Sequence, residues 1–81
     1  KMAKTLYDHI KPMKEQIHAL TSLGLVNPSL SRNIEVYEAY CKHINSGYKV
    51  YESYYKVAEE VKPSISWQSV KKIVAYMSIE T

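Results

Sequence analysis

Apolar residues recur along the chain at alternating intervals of four and three, the spacing that places side chains on one face of a helix. Four such stripes follow one another, and proline, glycine or serine separates each from the next. They predict helices at about 3–22, 29–45, 48–61 and 66–78. The sequence therefore predicts an all-α fold, a small bundle of four helices forming a single domain over residues 1–81.

The stripe residues are the predicted core. In chain order they are Leu6, Ile10, Met13, Ile17 and Leu20; Leu30, Ile34, Tyr37, Cys41 and Ile44; Val50, Tyr51, Tyr54, Val57, Ala58 and Val61; and Val70, Ile73, Val74 and Met77. Leu23, Leu25 and Val26 lie between the first two stripes, and we expect this apolar connector to press on the core.

Proline, serine and glycine predict where the helices begin and end. Pro12 interrupts the first stripe, so this helix either begins at Pro12 or is kinked there, and we favour a helix from about 12 to 22 after a looser turn. Ser29 or Ser31 is the candidate cap of the second helix. Gly47 ends that helix in a left-handed conformation, and the third helix breaks at Lys62-Pro63-Ser64.

Composition restricts the class of protein further. The chain is 46% hydrophobic and 23% charged, which is typical of a folded domain, and its net charge of +3 is only mildly basic. A single cysteine, Cys41, excludes an intramolecular disulfide and a cysteine-based zinc site and favours a reducing, cytoplasmic location. No apolar run approaches the roughly 18 residues of a membrane span, so we predict no membrane partner.

No group of residues has the spacing of a catalytic site. The histidines at positions 9, 18 and 43 lie on different predicted helices or helix faces, without the spacing of a zinc motif. Cys41 and His43 are two residues apart, and Glu59 and Glu60 are adjacent, so each pair diverges around a helix. A glycine-rich phosphate loop is also absent from the sequence. We predict that the protein is not an enzyme and requires no cofactor or metal.

The aromatic content is unusual, with eight tyrosines, one tryptophan and no phenylalanine. Most of the tyrosines lie between Tyr37 and Tyr55. They either serve as core residues whose hydroxyls reach the surface, or form a contact surface for a partner. Helical spacing alone explains Tyr37, Tyr51 and Tyr54 as core residues, which favours the first alternative.

The last third of the chain combines a small residue in one helix, Ala58, with an apolar turn residue, Ile65. Ser66 then caps a second helix whose inward positions are Val70 and Ile73. This pattern, from about Tyr51 to Met77, resembles the helix-turn-helix of DNA-binding domains and is close in character to small phage and mobile-element regulators. The segment 62–64 departs from it, since the family usually has a glycine in a turn about two residues shorter.

The resemblance implies that the last helix enters the major groove with its N-terminus first. The implied DNA-binding residues are Ser66, Trp67, Gln68, Ser69, Lys71, Lys72 and Tyr76. Gln68 would pair with adenine, whereas Lys71 and Lys72 would contact phosphates and position the helix. The lysines are alternatively a solvated helix face, and Trp67 alternatively packs over the turn.

The resulting prediction is sequence-specific binding of duplex DNA, in a transcriptional or mobile-element regulator that acts as a homodimer or as part of a larger protein. The alternative is a helical protein–protein interaction or dimerisation module that does not bind nucleic acid. In that case the first helix or the tyrosine-rich face would pack on a partner or on a second copy.

Overall fold

Helices make up 76% of the chain that the structure describes. The computed structural model describes residues 4–61 and 64–80. Its helices are α1 (Leu6–Ile10), α2 (Lys14–Ser22), α3 (Pro28–Asn45), α4 (Val50–Glu60) and α5 (Trp67–Met77), and a 3-10 turn (Lys11–Met13) joins the first two. Together, α1, this turn and α2 form one interrupted helix, which we call the first arm, so the described residues contain four helical segments. The predicted all-α fold class is confirmed.

The two ends of the described chain are joined by main-chain contacts. Thr5 and Glu80 form an isolated antiparallel bridge, and the amide of Leu6 donates to the carbonyl of Ile79 at 2.7 Å. These bonds attach the start of α1 to Ile79 and Glu80, two and three residues beyond the end of α5. The end of α5 is therefore held in place from two directions, by its packing and by the chain's first helix.

The segment before Pro12 is a capped helix, so the looser turn that we favoured there is wrong. Thr5 Oγ1 accepts from the amide of Asp8 at 3.2 Å, and the Thr5 amide donates to Asp8 Oδ2 at 3.0 Å. This reciprocal pair is a capping box, which satisfies two amides that a helix start leaves unpaired. The same hydrogen bonds hold the pKa of the Asp8 carboxyl below its usual value. Proline is accommodated in the 3-10 turn.

The cap of α3 is Asn27, and the prediction of Ser29 or Ser31 is wrong. Asn27 Oδ1 accepts from the amide of Ser29 at 2.8 Å, while Pro28 occupies the first helical turn, where its missing amide costs nothing. At the other end of α3, Gly47 has the predicted left-handed conformation, with φ +98°. Of the predicted break after α4, Lys62 and Pro63 lie outside the described residues.

The core consists of two clusters of buried side chains. The larger contains Val36, Tyr54, Val57, Ala58, Val70 and Val74, and the smaller contains Ile17, Ile34 and Met77. Both α3 and α5 contribute to each cluster, and α5 packs against α3, α4 and α1. These two helices therefore connect the two halves of the core.

Helix α3 buries two faces, whereas its sequence predicts one. Ile34 lies on the predicted stripe and faces the smaller cluster, while Val36, two residues later, is fully buried in the larger one. Side chains two residues apart lie about 200° apart around a helix. Because Ile17 of α2 and Met77 of α5 cover the Ile34 side, while α4 and the first turns of α5 cover the Val36 side, one stripe cannot account for the burial of α3.

Several predicted core residues are instead exposed. Within the stripes these are Met13, Leu20, Val50 and Tyr51. The connector prediction is wrong for Leu23 and Leu25, which are 72% and 69% exposed, although Val26 is half-buried. The chain reverses tightly at Gly24, where φ is +75° and the Leu25 amide donates to the Leu20 carbonyl at 2.9 Å, and both leucines are left in solvent.

A half-buried polar cluster ties the first arm to α3. The Tyr7 hydroxyl donates to Glu38 Oε2 at 2.6 Å, and Lys14 Nζ donates to both carboxylate oxygens at 3.0 and 3.1 Å. Burial alone would raise the pKa of Glu38, but these hydrogen bonds outweigh it and lower the pKa. Burial and the neighbouring carboxylate raise the pKa of Tyr7 well above its usual value.

We predict that Tyr7→Phe lowers the free energy of unfolding by about 1–2 kcal/mol at pH 7, because it removes a hydrogen bond to a charged, half-buried carboxylate. Urea denaturation followed by circular dichroism measures the change. Tyr55→Phe removes the same atom from an exposed ring and should change the free energy by less than about 0.5 kcal/mol. Equal effects of the two substitutions would contradict this account of the Tyr7–Glu38 contact.

The lowered pKa of Glu38 gives the stability a predicted pH dependence. Since its folded pKa lies below the ordinary value of 4.5, its contribution is present above pH 4.5 and is lost as the pH falls through the lowered value. Glu38→Gln should therefore be less stable than the original chain at pH 7, with the difference shrinking towards pH 2. Thermal melts at both pH values test this, and a difference independent of pH would contradict it.

Candidate nucleic-acid interface

The residues of the helix-turn-helix pattern meet at the corner between α4 and α5. The amide of Ile65 donates to the carbonyl of Ala58 at 3.3 Å, so the chain folds back directly against α4. Ala58 is buried, and the half-buried Ile65 packs against the larger cluster. A small side chain at position 58 and an apolar one at 65 thus have the surroundings that the sequence pattern predicts for them.

Ser66 caps α5, as predicted. Its hydroxyl accepts from the amide of Ser69 at 3.2 Å and lies 3.0 Å from the Ser69 hydroxyl. The cap satisfies one of the unpaired amides at the start of the helix, and the amide of Val70 begins the intrahelical ladder by donating to the Ser66 carbonyl at 3.2 Å. Ser66 and Ser69 are therefore engaged with each other in this structure.

Helix α5 has one face in the core and one in solvent. Val70, Val74 and Met77 are buried. The opposite face consists of Gln68, Lys71, Lys72, Ala75 and Tyr76, all of them exposed. No acidic residue occurs between Ser64 and Ile79, and neither lysine forms an ion pair within the described part of the chain. Four of the predicted site residues therefore share a solvated, basic surface: Gln68, Lys71, Lys72 and Tyr76.

Trp67, by contrast, is half-buried and packs sideways on α4. Its ring centroid lies 5.9 Å from that of Tyr51 and 5.7 Å from that of Tyr55. Both contacts are tilted or edge-to-face, which are the favoured geometries of aromatic pairs. Trp67 thus packs over the corner, and it stands apart from the outward-facing residues of α5.

The prediction of Tyr51 as a core residue is wrong, because this side chain lies at the edge of the buried face of α4. Tyr51 and Tyr55 are 57% and 52% exposed, and with Trp67 they form a contiguous surface that we call the aromatic patch. The alternative of a tyrosine contact surface, which the sequence left open, did not single out this pair. Their separation of four residues is the signal that places them side by side on a helix.

Acidic side chains lie on the outer side of α4. Glu52 Oε1 accepts from the amide of Lys49 at 3.0 Å at the start of the helix, and Glu60 pairs with His43 Nε2 at 2.9 Å. Glu59 is exposed and forms no ion pair among the described residues. Glu52 and Glu59 therefore border the tyrosines on α4, and Lys56 lies over the Tyr48 ring, 4.6 Å from its centroid. The exposed face of α5 carries only positive charge.

The other chemically reactive side chains are dispersed. Within residues 4–61 and 64–80, no three of the histidine, cysteine and acidic side chains come close enough to hold a metal ion. His18 bonds to Ser31, and burial raises the pKa of the Cys41 thiol. Over the same residues we also find no helix with the length and apolarity needed to cross a membrane.

No known protein family, curated protein or solved structure matches this chain.

We predict that Ser66→Ala lowers the free energy of unfolding by about 1 kcal/mol, since it leaves the Ser69 amide without its capping oxygen. Ser66→Asp, which also caps a helix well, should retain most of the stability. Urea denaturation of the two variants side by side measures the difference. If alanine and aspartate had the same effect, the cap would have no part in holding the first turn of α5.

Proposed function

We propose that the chain binds duplex DNA through α4 and α5, with α5 as the helix that enters the major groove. The observation that carries this proposal is the solvated face of α5, on which Gln68, Lys71 and Lys72 stand together without an acidic neighbour on the same helix. Because the opposite face is anchored in the core by Val70 and Val74, this surface is rigid as well as accessible.

Each side chain on this face suits a contact that DNA offers. Ammonium groups such as those of Lys71 and Lys72 bind phosphates, which sets the position of a helix on the duplex without reading sequence. The Gln68 amide matches the donor and acceptor pair that adenine presents in the major groove. The Tyr76 hydroxyl, two turns further along, is suited to a phosphate or sugar contact at the end of the same helix.

The small size of the domain bears on the class of DNA-binding protein that we propose. A single small module buries only about 600–1,000 Å² on DNA, so its affinity alone is modest and two copies or a larger protein are needed for tight, selective binding. We therefore propose a regulator of transcription or of a mobile element, and this rests on the resemblance of the segment 51–77 to the helix-turn-helix of such proteins.

The decisive experiment is the salt dependence of duplex binding. Fluorescence anisotropy of a labelled duplex should show binding that weakens as salt rises, with each phosphate contact contributing about 0.9 to the logarithmic slope. Lys71→Ala with Lys72→Ala should weaken binding at least about tenfold at low salt and reduce the slope by about 1–2. Both effects follow from the loss of two ammonium groups at the DNA surface.

The matched control removes two exposed lysines elsewhere, Lys11→Ala with Lys42→Ala. This variant has the same net charge as the variant without Lys71 and Lys72. A general effect of lost positive charge would therefore weaken duplex binding equally in both. We expect its slope to change little. Equal losses in the two double variants, or an unchanged slope after removal of Lys71 and Lys72, would contradict the assignment of α5 as the DNA-binding helix.

The second candidate function is protein binding without nucleic acid, and the exposed leucines of the α2–α3 connector favour it. Leu23 and Leu25 present apolar side chains that no described residue covers. Leu23→Ser with Leu25→Ser separates the two candidates, because DNA binding through α5 should be unaffected by it. Absence of duplex binding by the original chain, together with a self-association that these serines abolish, would favour the second candidate.

A further inference from the structure

The aromatic patch consists of rings that are held in place by one another and are still partly exposed to solvent. Tyr51 and Tyr55 each leave about half of their surface in solvent, although both rings are braced against Trp67. Tyr51 is braced again by Tyr54, whose ring centroid lies 5.8 Å away and whose side chain is buried. Rings that are already held in place lose little conformational entropy on binding, which is why aromatic side chains dominate contact surfaces.

The patch has an acidic border on one helix and a basic border on the other. Glu59 follows Tyr55 by four residues on α4, and Lys71 follows Trp67 by four residues on α5. Residues four apart are neighbours on a helix surface, so the carboxylate and the ammonium each lie beside a ring of the patch. Both side chains are exposed, and neither forms an ion pair among the described residues.

We propose that the aromatic patch is the contact surface for a second copy of this chain, related to the first by a two-fold axis. In such a pair the same surface meets itself, so Glu59 of each copy faces the partner's Lys71. An apolar centre with opposite charges on its two sides is complementary to its own rotated image. A nucleic acid fits this surface less well, because its phosphates would meet Glu59.

The interface is small, so the dimer is weak. A fully buried aromatic side chain covers about 150–250 Å², and only the exposed halves of two tyrosines and part of Trp67 remain to be buried. This is well below the roughly 800 Å² per partner of a stable complex. We therefore expect a dimer in rapid exchange, with a dissociation constant on the order of 100 µM.

This inference goes beyond the proposed DNA binding and shares Lys71 with it. Lys71 lies beside Trp67, whereas Lys72 is turned about 100° away around the helix and belongs to the proposed DNA-binding surface alone. Lys72 and Glu59 are therefore the residues that separate the two proposals. Lys72 serves as the control residue for dimerisation, and Glu59, which has no part in the proposed DNA contact, serves as the control residue for duplex binding.

The proposal is tested by reversing each of the two charges in turn. Sedimentation equilibrium measures association from about 10 µM to 1 mM, a range around the dissociation constant expected for an interface of this size. Glu59→Lys and Lys71→Glu should each reduce the association constant at least tenfold, because each places like charges opposite one another twice in the dimer. An equimolar mixture of the two variants should associate again as a heterodimer, since opposite charges then face each other at both positions. Lys72→Glu should leave association unchanged.

The proposal is overturned if the original chain is monomeric up to about 1 mM, well above the dissociation constant expected for this interface. It is also overturned if neither charge reversal weakens association, or if the mixed variants fail to associate. Circular dichroism confirms that each surface variant is folded before it is compared. Duplex binding is measured on the same variants at about 1 µM protein, where the weak dimer is dissociated. Loss of duplex binding in Lys72→Glu but not in Glu59→Lys supports the DNA proposal whatever the outcome for the dimer.

Discussion

The packing of α5 against α3 is the contact on which the rest of the structure depends. Val70 and Val74 of α5 complete the larger cluster, and Met77 completes the smaller one. Full burial of each such side chain contributes about 1.5–3 kcal/mol relative to exposure. If α5 were displaced, Val36 and Ile34 would lose cover on both faces of α3 at once. The helix that carries the exposed lysines is therefore also the helix on which both core clusters depend.

This dependence fixes the direction in which the exposed residues of α5 point. The buried positions of α5 occupy one side of an eleven-residue helix, so Gln68, Lys72 and Tyr76 are held on the opposite side. The Ser66 cap defines the first turn, and the contact of Ile65 with Ala58 defines where the turn meets α4. Orientation and accessibility of the basic face follow from packing, without a stabilising contact between the lysines and other side chains.

The tyrosines are divided between the core and the surface. A continuous series of ring contacts runs from α1 to α5 through Tyr7, Tyr37, Tyr40, Tyr54, Tyr51 and Trp67. Its inner members pack in or beside the core, while Tyr51 and the neighbouring Tyr55 are exposed. Tyrosine suits such a series better than phenylalanine, because rings near the surface can keep their hydroxyls hydrated or, as at Tyr7, bonded to a carboxylate.

Spacing in the sequence was enough to predict the fold class and the Ser66 and Gly47 signals, because these depend on local geometry. The outward face of α5 was equally predictable, as the complement of a stripe that the core does bury. A stripe does not tell how far the neighbouring helices extend, which is why Tyr51 and Leu20 were assigned to the core and are exposed.

A single stripe of apolar residues also predicts only one inward face for each helix, which is why the burial of Val36 on a second face of α3 was missed. The Thr5–Asp8 capping box went unrecognised, although the two residues stand in the sequence at the spacing that such a box requires.

The adjacent lysines of α5 illustrate how one short helix can serve two surfaces. Lys71 and Lys72 differ by about 100° around the helix axis, so the first borders the aromatic patch and the second faces away from it. In the proposed dimer, Glu59 and the partner's Lys71 face each other at the contact, while Lys72 of each copy lies outside it. The two copies of Lys72 are then related by the two-fold axis, which is the arrangement that the proposed binding of a two-fold symmetric DNA site needs.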